Sequence, residues 1–329
     1  MPAQDENSRN FLVTGGAGFI GSAFLRAIAL DSRFDEVKQI YILDSLTYAG
    51  KLENIASIQT DSRFVFIHGD INDVKEHLKE FVIPDGVIHF AAESHVDRSI
   101  IDSSPFIFTN IVGTYKLLEW ARENNVEIFL HVSTDEVYGS IATGSATEDS
   151  NLKPSSQYSA SKASSDLIVL ANSYTFRQPV IVTRCTNNYG PFQDLEKFIP
   201  TIISNAKENE KIPIYGSGLN VRDWLFVEDH VSALMTILFE SEAGQVFNIS
   251  GSNELSNLDI ATGILEEMGK PLSLIKFVED RKGHDLRYSL DSKKLQSQYG
   301  WSPQVNFKEG IRRTIEWYLA THNSNKEKI

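Results

Sequence analysis

Thr134, Asp135 and Glu136 follow an apolar, β-branched run in the stretch EIFLHVSTDEVYGS. Two neighbouring carboxyl groups can work as acid and base on one substrate, because close carboxylates do not titrate independently and one is held protonated. On an ideal strand adjacent side chains point to opposite faces. A working pair therefore requires the backbone to leave extended geometry at or just after Thr134. A second pair lies in YSASK, where Tyr158 and Lys162 stand four apart and share one face of a predicted helix. Tyrosine titrates near ~10, so lowering it by roughly three units requires about 4 kcal/mol of selective phenolate stabilisation. One cation within a few ångströms supplies at most a few kcal/mol at an effective dielectric of ~20. Lys162 and a positive nicotinamide ring together suffice. Tyr-Lys pairs at this spacing are common and usually structural, so the context upstream decides.

That context is a nucleotide fingerprint. FLVTGGAGFIGS places Gly15, Gly18 and Gly21 between a predicted strand and a helix that opens on Phe19 and Ile20. Glycines there allow a tight turn and let backbone N–H groups meet a pyrophosphate at the helix N-terminus. The spacing is G-x-x-G-x-x-G, which fits short-chain dehydrogenase-like proteins. Asp44 ends the second predicted strand, where a carboxylate accepts from the adenosine ribose hydroxyls and favours NAD over its 2′-phosphorylated relative. Asp70 and Ile71 end the third strand and are expected to flank the adenine. Ala91 and Ala92 end the fourth, small enough for close approach of the cofactor.

The elements that must position these groups read as βαβ units. Strands are predicted at 10–14, 39–44, 64–69, 86–92, 128–133 and 179–184, continuous in apolar character as parallel strands covered on both faces are. Helical stretches fall near 72–80, 107–124 and 156–176. This rhythm predicts an α/β fold, a Rossmann-like doubly wound parallel sheet with a smaller C-terminal α/β substrate-binding lobe. The expected organisation is an NAD-binding domain over 1–190, with 224–243 returning to it, and a substrate lobe from 191–223 and 244–329. A later strand near 245–249 and helices near 256–268 and 308–320 complete the pattern.

Composition narrows the function classes. The 329 residues carry a formal charge of −13, which disfavours nucleic acid and anionic lipid. One cysteine, Cys185, leaves no intrachain disulfide and no cysteine-based zinc site. No metal is expected, and His89, His95, His131 and His230 lack ligand spacing. No apolar run approaches the ~20 residues of a spanning helix, and MPAQDENSRN lacks a signal-peptide core. A cytoplasmic enzyme is the expectation.

With these motifs in place, TGGAGFIGS, SHVDRS, STDEVYG, YSASK, NNYGP, VRDWLFVEDH and GHDLRY resemble the dTDP-glucose 4,6-dehydratases, extended short-chain dehydrogenases/reductases. The resemblance runs from about Phe11 past Trp301, and its most discriminating element is Thr-Asp-Glu. It implies that dTDP-glucose is oxidised at C4 by NAD, loses water across C5 and C6, and regains hydride at C6, for deoxysugars such as rhamnose in surface polysaccharide. Glu136 is then the base at C5, Asp135 the acid at the C6 hydroxyl, and Thr134 a hydrogen-bond partner of the C4 oxygen. By the same resemblance Ser94, Asn187, Glu196 and Lys197 contact substrate, and Asn188 touches the nicotinamide end. Arg222, Asn257, Arg281, His284 and Tyr288 resemble a nucleotide-diphosphate clamp. Lys282, Leu286 and Asp194-Leu195 depart from the family's usual residues, which bears on pocket detail. A homodimer through 107–124 and 156–176 is expected. A sugar-nucleotide 4-epimerase or decarboxylase, and a non-catalytic NAD-binding regulator, remain as alternatives that the paired acids and the intact Tyr158 and Lys162 argue against. The base of the nucleotide, dTDP against UDP or CDP, stays open.

Overall fold

The structure is a computed structural model that describes residues 9–34, 37–280 and 283–323. The first six strands are β1 (Arg9–Thr14), β2 (Val37–Asp44), β3 (Phe64–His68), β4 (Gly86–His89), β5 (Ile128–Thr134) and β6 (Val180–Cys185). The later ones are β7 (Asn187–Tyr189), β8 (Ile212–Tyr215), β9 (Val221–Phe226), β10 (Gln245–Ile249), β11 (Glu254–Ser256) and β12 (Ile275–Val278). Seven of them form one sheet in the order β3-β2-β1-β4-β5-β6-β10. The pairs β1–β2, β2–β3, β1–β4 and β4–β5 are parallel. The order reverses between β1 and β4, the switch point at which such sheets bind nucleotides. Nearly continuous burial along β1, β2 and β5 matches strands covered on both faces. The doubly wound α/β architecture expected from the sequence is present.

The helices are α1 (Phe19–Leu30), α2 (Val74–Leu78), α3 (Val96–Ile101), α4 (Ser104–Phe106), α5 (Thr114–Glu123) and α6 (Gln157–Phe176). They continue as α7 (Phe198–Glu208), α8 (Val227–Glu240), α9 (Asn257–Glu267), α10 (Lys293–Tyr299) and α11 (Phe307–Asn323). The predicted helix over 107–124 is not continuous α. Between α4 and α5, Ile107–Gly113 forms a π-helical segment. The wider turn carries the buried Asn110, and Gly113 lets Ile71 pack where a Cβ would stand 2.6 Å from its Cδ1. The predicted helix at 72–80 shortens to α2, preceded by a 3-10 turn over Ile71–Asp73.

Two compact units divide the chain. The first holds 1–137, 156–184 and 234–247, with a core that includes Leu12, Leu43, Val87, Phe129 and Val182. The second holds 138–155, 185–233 and 248–329, with a core of Tyr189, Ile202, Trp224, Phe226 and Ile264 among others. The sequence reading put 138–155 with the first unit; here it groups with the second. Of the segment expected to return, 224–243, only 234–243 does so, joined by 244–247 from the expected lobe. Residues 185–190 and 224–233 group with the second unit, where β9 pairs with β7 and β11 in a separate three-stranded sheet. No helix among the described residues is long and apolar enough to cross a membrane.

Candidate active site

The glycine loop leaves β1 at the switch point. Gly15 adopts φ +69°, and a Cβ there would lie 2.6 Å from the Ala91 backbone nitrogen. Only glycine satisfies both the left-handed backbone and the close approach of the β4 terminus. Gly18 is the N-cap of α1 with no side-chain cap, so the first-turn N–H groups face a bare backbone end suited to an anion. Gly21 is buried against Gly15, and Phe19 and Ile20 are half-buried in the first turn.

Asp44 ends β2 with its carboxylate turned to that loop. Its Oδ2 accepts from Ala17 N at 2.9 Å and its Oδ1 from Leu46 N at 2.8 Å. Burial pushes its pKa up, against the pull of those two N–H groups. A buried acid between the glycine loop and the β2 turn fits the ribose end of a dinucleotide, as the glycines fit its pyrophosphate. Asp70 caps the 3-10 turn, accepting from Asn72 N at 2.8 Å, while Ile71 is buried in the core. Ala91 and Ala92 are half-buried, and Ala91 N donates to Thr14 Oγ1 at 3.4 Å.

β5 ends at Thr134, and Asp135–Tyr138 forms a 3-10 turn. Extended geometry therefore stops where two adjacent acids would otherwise diverge. Thr134 Oγ1 donates to Asp135 Oδ1 at 3.2 Å and accepts from Glu136 N at 3.3 Å. Thr134 and Asp135 are buried; Glu136 is half-buried.

α6 begins with a capping box in which Ser156 and Ser159 satisfy one another's backbone N–H. The cap fixes the first turn, and Tyr158 lies in it, 8% exposed and edge-on to Phe106. Lys162, one turn on, is 4% exposed and donates from Nζ to Val132 O at 2.8 Å. The neighbouring Ser161 bonds Asn110 Nδ2 at 2.9 Å, and the Asn110 amide holds both Glu93 N and Glu93 O. The π-helical segment thus ties the loop after β4 to the helix that carries Tyr158 and Lys162. In that loop, Ser94 N donates to Tyr48 Oη at 3.2 Å, and the Arg98 guanidinium lies 4.1 Å above the Tyr48 ring. Asn110, Tyr48 and Arg98 were not among the sequence candidates. Pairs set by tertiary packing leave no local pattern to read.

Comparison with known proteins bears on this arrangement. The family model described as GDP-mannose 4,6 dehydratase matches residues 12–314. A dTDP-glucose 4,6-dehydratase of Actinoplanes is 48% identical over 95% of this chain and 98% of its own length. That of Escherichia coli K12 is 46% identical over 94% of this chain and 92% of its own. The structure of the Streptomyces venezuelae dTDP-glucose 4,6-dehydratase, solved with NAD, superposes with a TM-score of 0.93 at 46% identity, covering 96% of this chain and 98% of that one. This chain belongs to the dTDP-glucose 4,6-dehydratase family.

The other residues that the family resemblance singled out lie in the second unit. Arg222 in β9 is buried, with its guanidinium 4.2 Å above the Tyr288 ring. It donates to Val221 O at 2.7 Å and to Asp285 O at 2.9 Å. Tyr288 Oη donates to Asp285 Oδ2 at 2.6 Å, and Asn220 Nδ2 to Asp285 O at 3.1 Å. Arg222 and Tyr288 are brought together, and Asn220 and Asp285 join them unforeseen. Asn257 opens α9, its N–H bonded to Asn220 O at 3.0 Å. His284 pairs through Nδ1 with Asp280 at 2.6 Å. Arg281 and Lys282 lie outside the described residues. Leu286 is exposed.

Asn187 carries a buried Oδ1 with no hydrogen-bond partner among the described residues. Asn188 differs. Its carboxamide is engaged by Thr186 O, Cys185 Sγ and His230 Nδ1, which makes it a brace for this loop rather than a side chain spare for a ligand. Glu196 is exposed, and Lys197 caps α7 through its backbone.

Proposed function

We propose that this enzyme is a hydro-lyase that dehydrates dTDP-glucose to dTDP-4-dehydro-6-deoxyglucose. The observation that carries the reading is the turn at the end of β5, where the Thr134 hydroxyl donates to the Asp135 carboxylate and accepts from the Glu136 backbone N–H. When bound, NAD supplies reversible two-electron chemistry, taken up at the hexose C4 and given back at C6. Gly15, Gly18, Gly21 and Asp44 would hold it.

Tyr158 takes the proton of the C4 hydroxyl, favoured by the buried charge of Lys162. Thr134 hydrogen-bonds the C4 oxygen. A ketone at C4 acidifies the C5 proton, which Glu136 removes while Asp135 protonates the departing C6 hydroxyl. Water is lost across C5 and C6, and Glu136 returns a proton to C5 as C6 is reduced. Ser94, Asn187, Glu196 and Lys197 are proposed to contact the hexose and diphosphate. Arg222, Asn257, Arg281, His284 and Tyr288 are proposed to hold the nucleotide. The product would feed deoxysugars such as rhamnose for surface polysaccharide. We place the enzyme in the cytoplasm as a homodimer, joined through α6 and through the π-helical segment and α5 within 107–124.

Solved 4-epimerases are more distant, at 28% identity for the UDP-glucuronic acid 4-epimerase of Bacillus cereus. Side-by-side turnover of dTDP-, UDP- and CDP-glucose tests the proposal, with the 4-keto-6-deoxy product read by its absorbance in alkali. Conversion of dTDP-glucose to dTDP-galactose instead would sink it.

A further inference from the structure

Tyr158, Lys162 and Asp166 recur every four residues and so share one face of α6. Asp166 has no exposed surface at all. Arg184 on β6, 2% exposed, donates from Nε to its Oδ2 at 2.8 Å. His131 on β5 lies against the same carboxylate, Nε2 to Oδ1 3.3 Å, and 3.2 Å from Ser165 Oγ. Ser165 Oγ donates to Lys162 O at 2.8 Å, so a hydrogen bond between Ser165 and His131 requires the imidazole proton on Nε2. Burial, then the charge of Lys162, pulls the His131 pKa down to about 4, keeping it uncharged at working pH. Burial alone would raise Asp166, but His131, Arg184 and Lys162 together hold it below the ordinary carboxylate value.

Three ions are therefore buried in one place: two positive, Lys162 and Arg184, and one negative, Asp166. Fold stability is a weak reason for such an arrangement, since an apolar replacement of a buried ion pair is often neutral or stabilising. Charge arithmetic gives a better one. Alone, Asp166 would cancel the positive charge of Lys162. Paired with Arg184, Asp166 leaves these three ions one net positive charge between them, and Lys162 donates to Val132 O.

We propose that Asp166 and Arg184 are positioning residues that set the charge felt at Tyr158, acting through Lys162. The inference rests on Tyr158 being the base of the proposed reaction. Other charged or titratable groups on elements around α6 are His89 on β4, Glu93 and His95 in the loop after it, Asp97 and Arg98 on α3, Tyr115, Lys116 and Glu123 on α5, Asp135 and Glu136 after β5, and Cys185 at the end of β6. Glu119 and Arg122 on α5 meet the far end of α6, where Glu119 accepts from Asn172. His89 is fully buried between Thr14 and Thr114, and burial lowers its pKa well below the ordinary value, so it adds no charge. None of the others contacts the Asp166 carboxylate.

The two members of the pair make opposite predictions. Asp166→Asn adds positive potential, so the phenolate should form at lower pH. Arg184→Gln leaves Asp166 to offset Lys162, so it should form at higher pH. At about 12 Å, eight residues along the helix, one charge shifts the midpoint by on the order of half to one pH unit. The measurement is a pH titration of ¹³Cζ-tyrosine-labelled, NAD-loaded protein by NMR, with Tyr158→Phe assigning the resonance. The acid limb of turnover is followed in parallel, and Arg184→Lys should restore the wild-type midpoint. Equal or same-direction displacements in the two variants would leave Asp166 and Arg184 a purely structural pair and overturn the proposal. Arg184→Gln is the variant at risk of misfolding. Asp166→Asn keeps the shape and an oxygen for Arg184, and its midpoint alone then decides, an unchanged value overturning the proposal. Because the NMR midpoints do not need dTDP-glucose, failure of wild-type turnover would count against the proposed reaction and not against this charge relation.

Discussion

The hydroxyl of Thr134 is shared between both acids of the turn: it donates to Asp135 Oδ1 at 3.2 Å and accepts from Glu136 N at 3.3 Å. A single side chain thereby fixes the break from strand to 3-10 turn. Thr134→Val keeps the β-branched shape and deletes both bonds. Each bond lost to a buried polar group costs about 1–3 kcal/mol. The expected result is a fall in kcat of roughly 10–100-fold, with Thr134→Ser within a few-fold of wild type. Steady-state kinetics on dTDP-glucose checks it, and a Thr134→Val enzyme at full rate would show that the hydroxyl is idle.

Tyr158 and the two acids should fail at different steps. Tyr158→Phe removes the group that takes the C4 hydroxyl proton, a loss of about 10²–10⁴ in rate. Single-turnover absorbance at 340 nm, the nicotinamide band, should then show no reduced cofactor. Asp135→Asn with Glu136→Gln leaves Tyr158 and Lys162 in place, so slow oxidation at C4 should persist while water loss stops. Normal dehydration by that double variant would remove both acids from the proposed roles.

Much of this was legible in the sequence, for physical reasons. The apolar continuity of β1, β2 and β5 follows from burial on both faces, and the glycine loop follows from a backbone that side chains would obstruct. Chemistry also required the turn after Thr134, since two acids on a strand cannot serve one hexose. The π-helical segment at Ile107–Gly113 was not legible, because a single wide turn leaves the surrounding 3.6-residue apolar spacing almost unchanged. Nor were β7 and β11, each of three residues, too short to display a period. Arg184 and Asp166 are 18 apart and meet only through packing of β6 on α6, yet Asp166 stood on the Tyr158–Lys162 face in plain view.

The glycine loop makes a prediction about cofactor affinity. Gly15→Ala meets two obstacles at once: φ +69°, which costs an L-residue about 1–2 kcal/mol, and an Ala91 nitrogen 2.6 Å from the new Cβ. The loop must shift, and the N–H groups at the start of α1 shift with it. Calorimetric titration of NAD into cofactor-free protein should give a Kd at least about tenfold weaker than wild type. Affinity within twofold of wild type would mean that the loop tolerates the side chain and does not cradle the cofactor closely.

Buried histidines should make the fold sensitive to acid well before its carboxylates titrate. Burial, together with Lys162, lowers His131 from an ordinary 6.5 to about 4, and burial alone lowers His230 to about 3. Between 6.5 and those values the unfolded chain binds a proton that the folded chain refuses. Stability therefore rises with pH across that window: it is complete above about 6.5 and is lost as pH falls toward about 4 and then about 3. Each such histidine contributes on the order of a few kcal/mol over its window. His230 donates from Nδ1 to Asn188 Oδ1, a bond that glutamine can replace from its amide. In His230→Gln the loss of stability between pH 6.5 and 4.5 should accordingly be shallower than in wild type, measured by urea unfolding at a series of pH values. An identical slope in the two proteins would show that His230 does not resist protonation in the folded state.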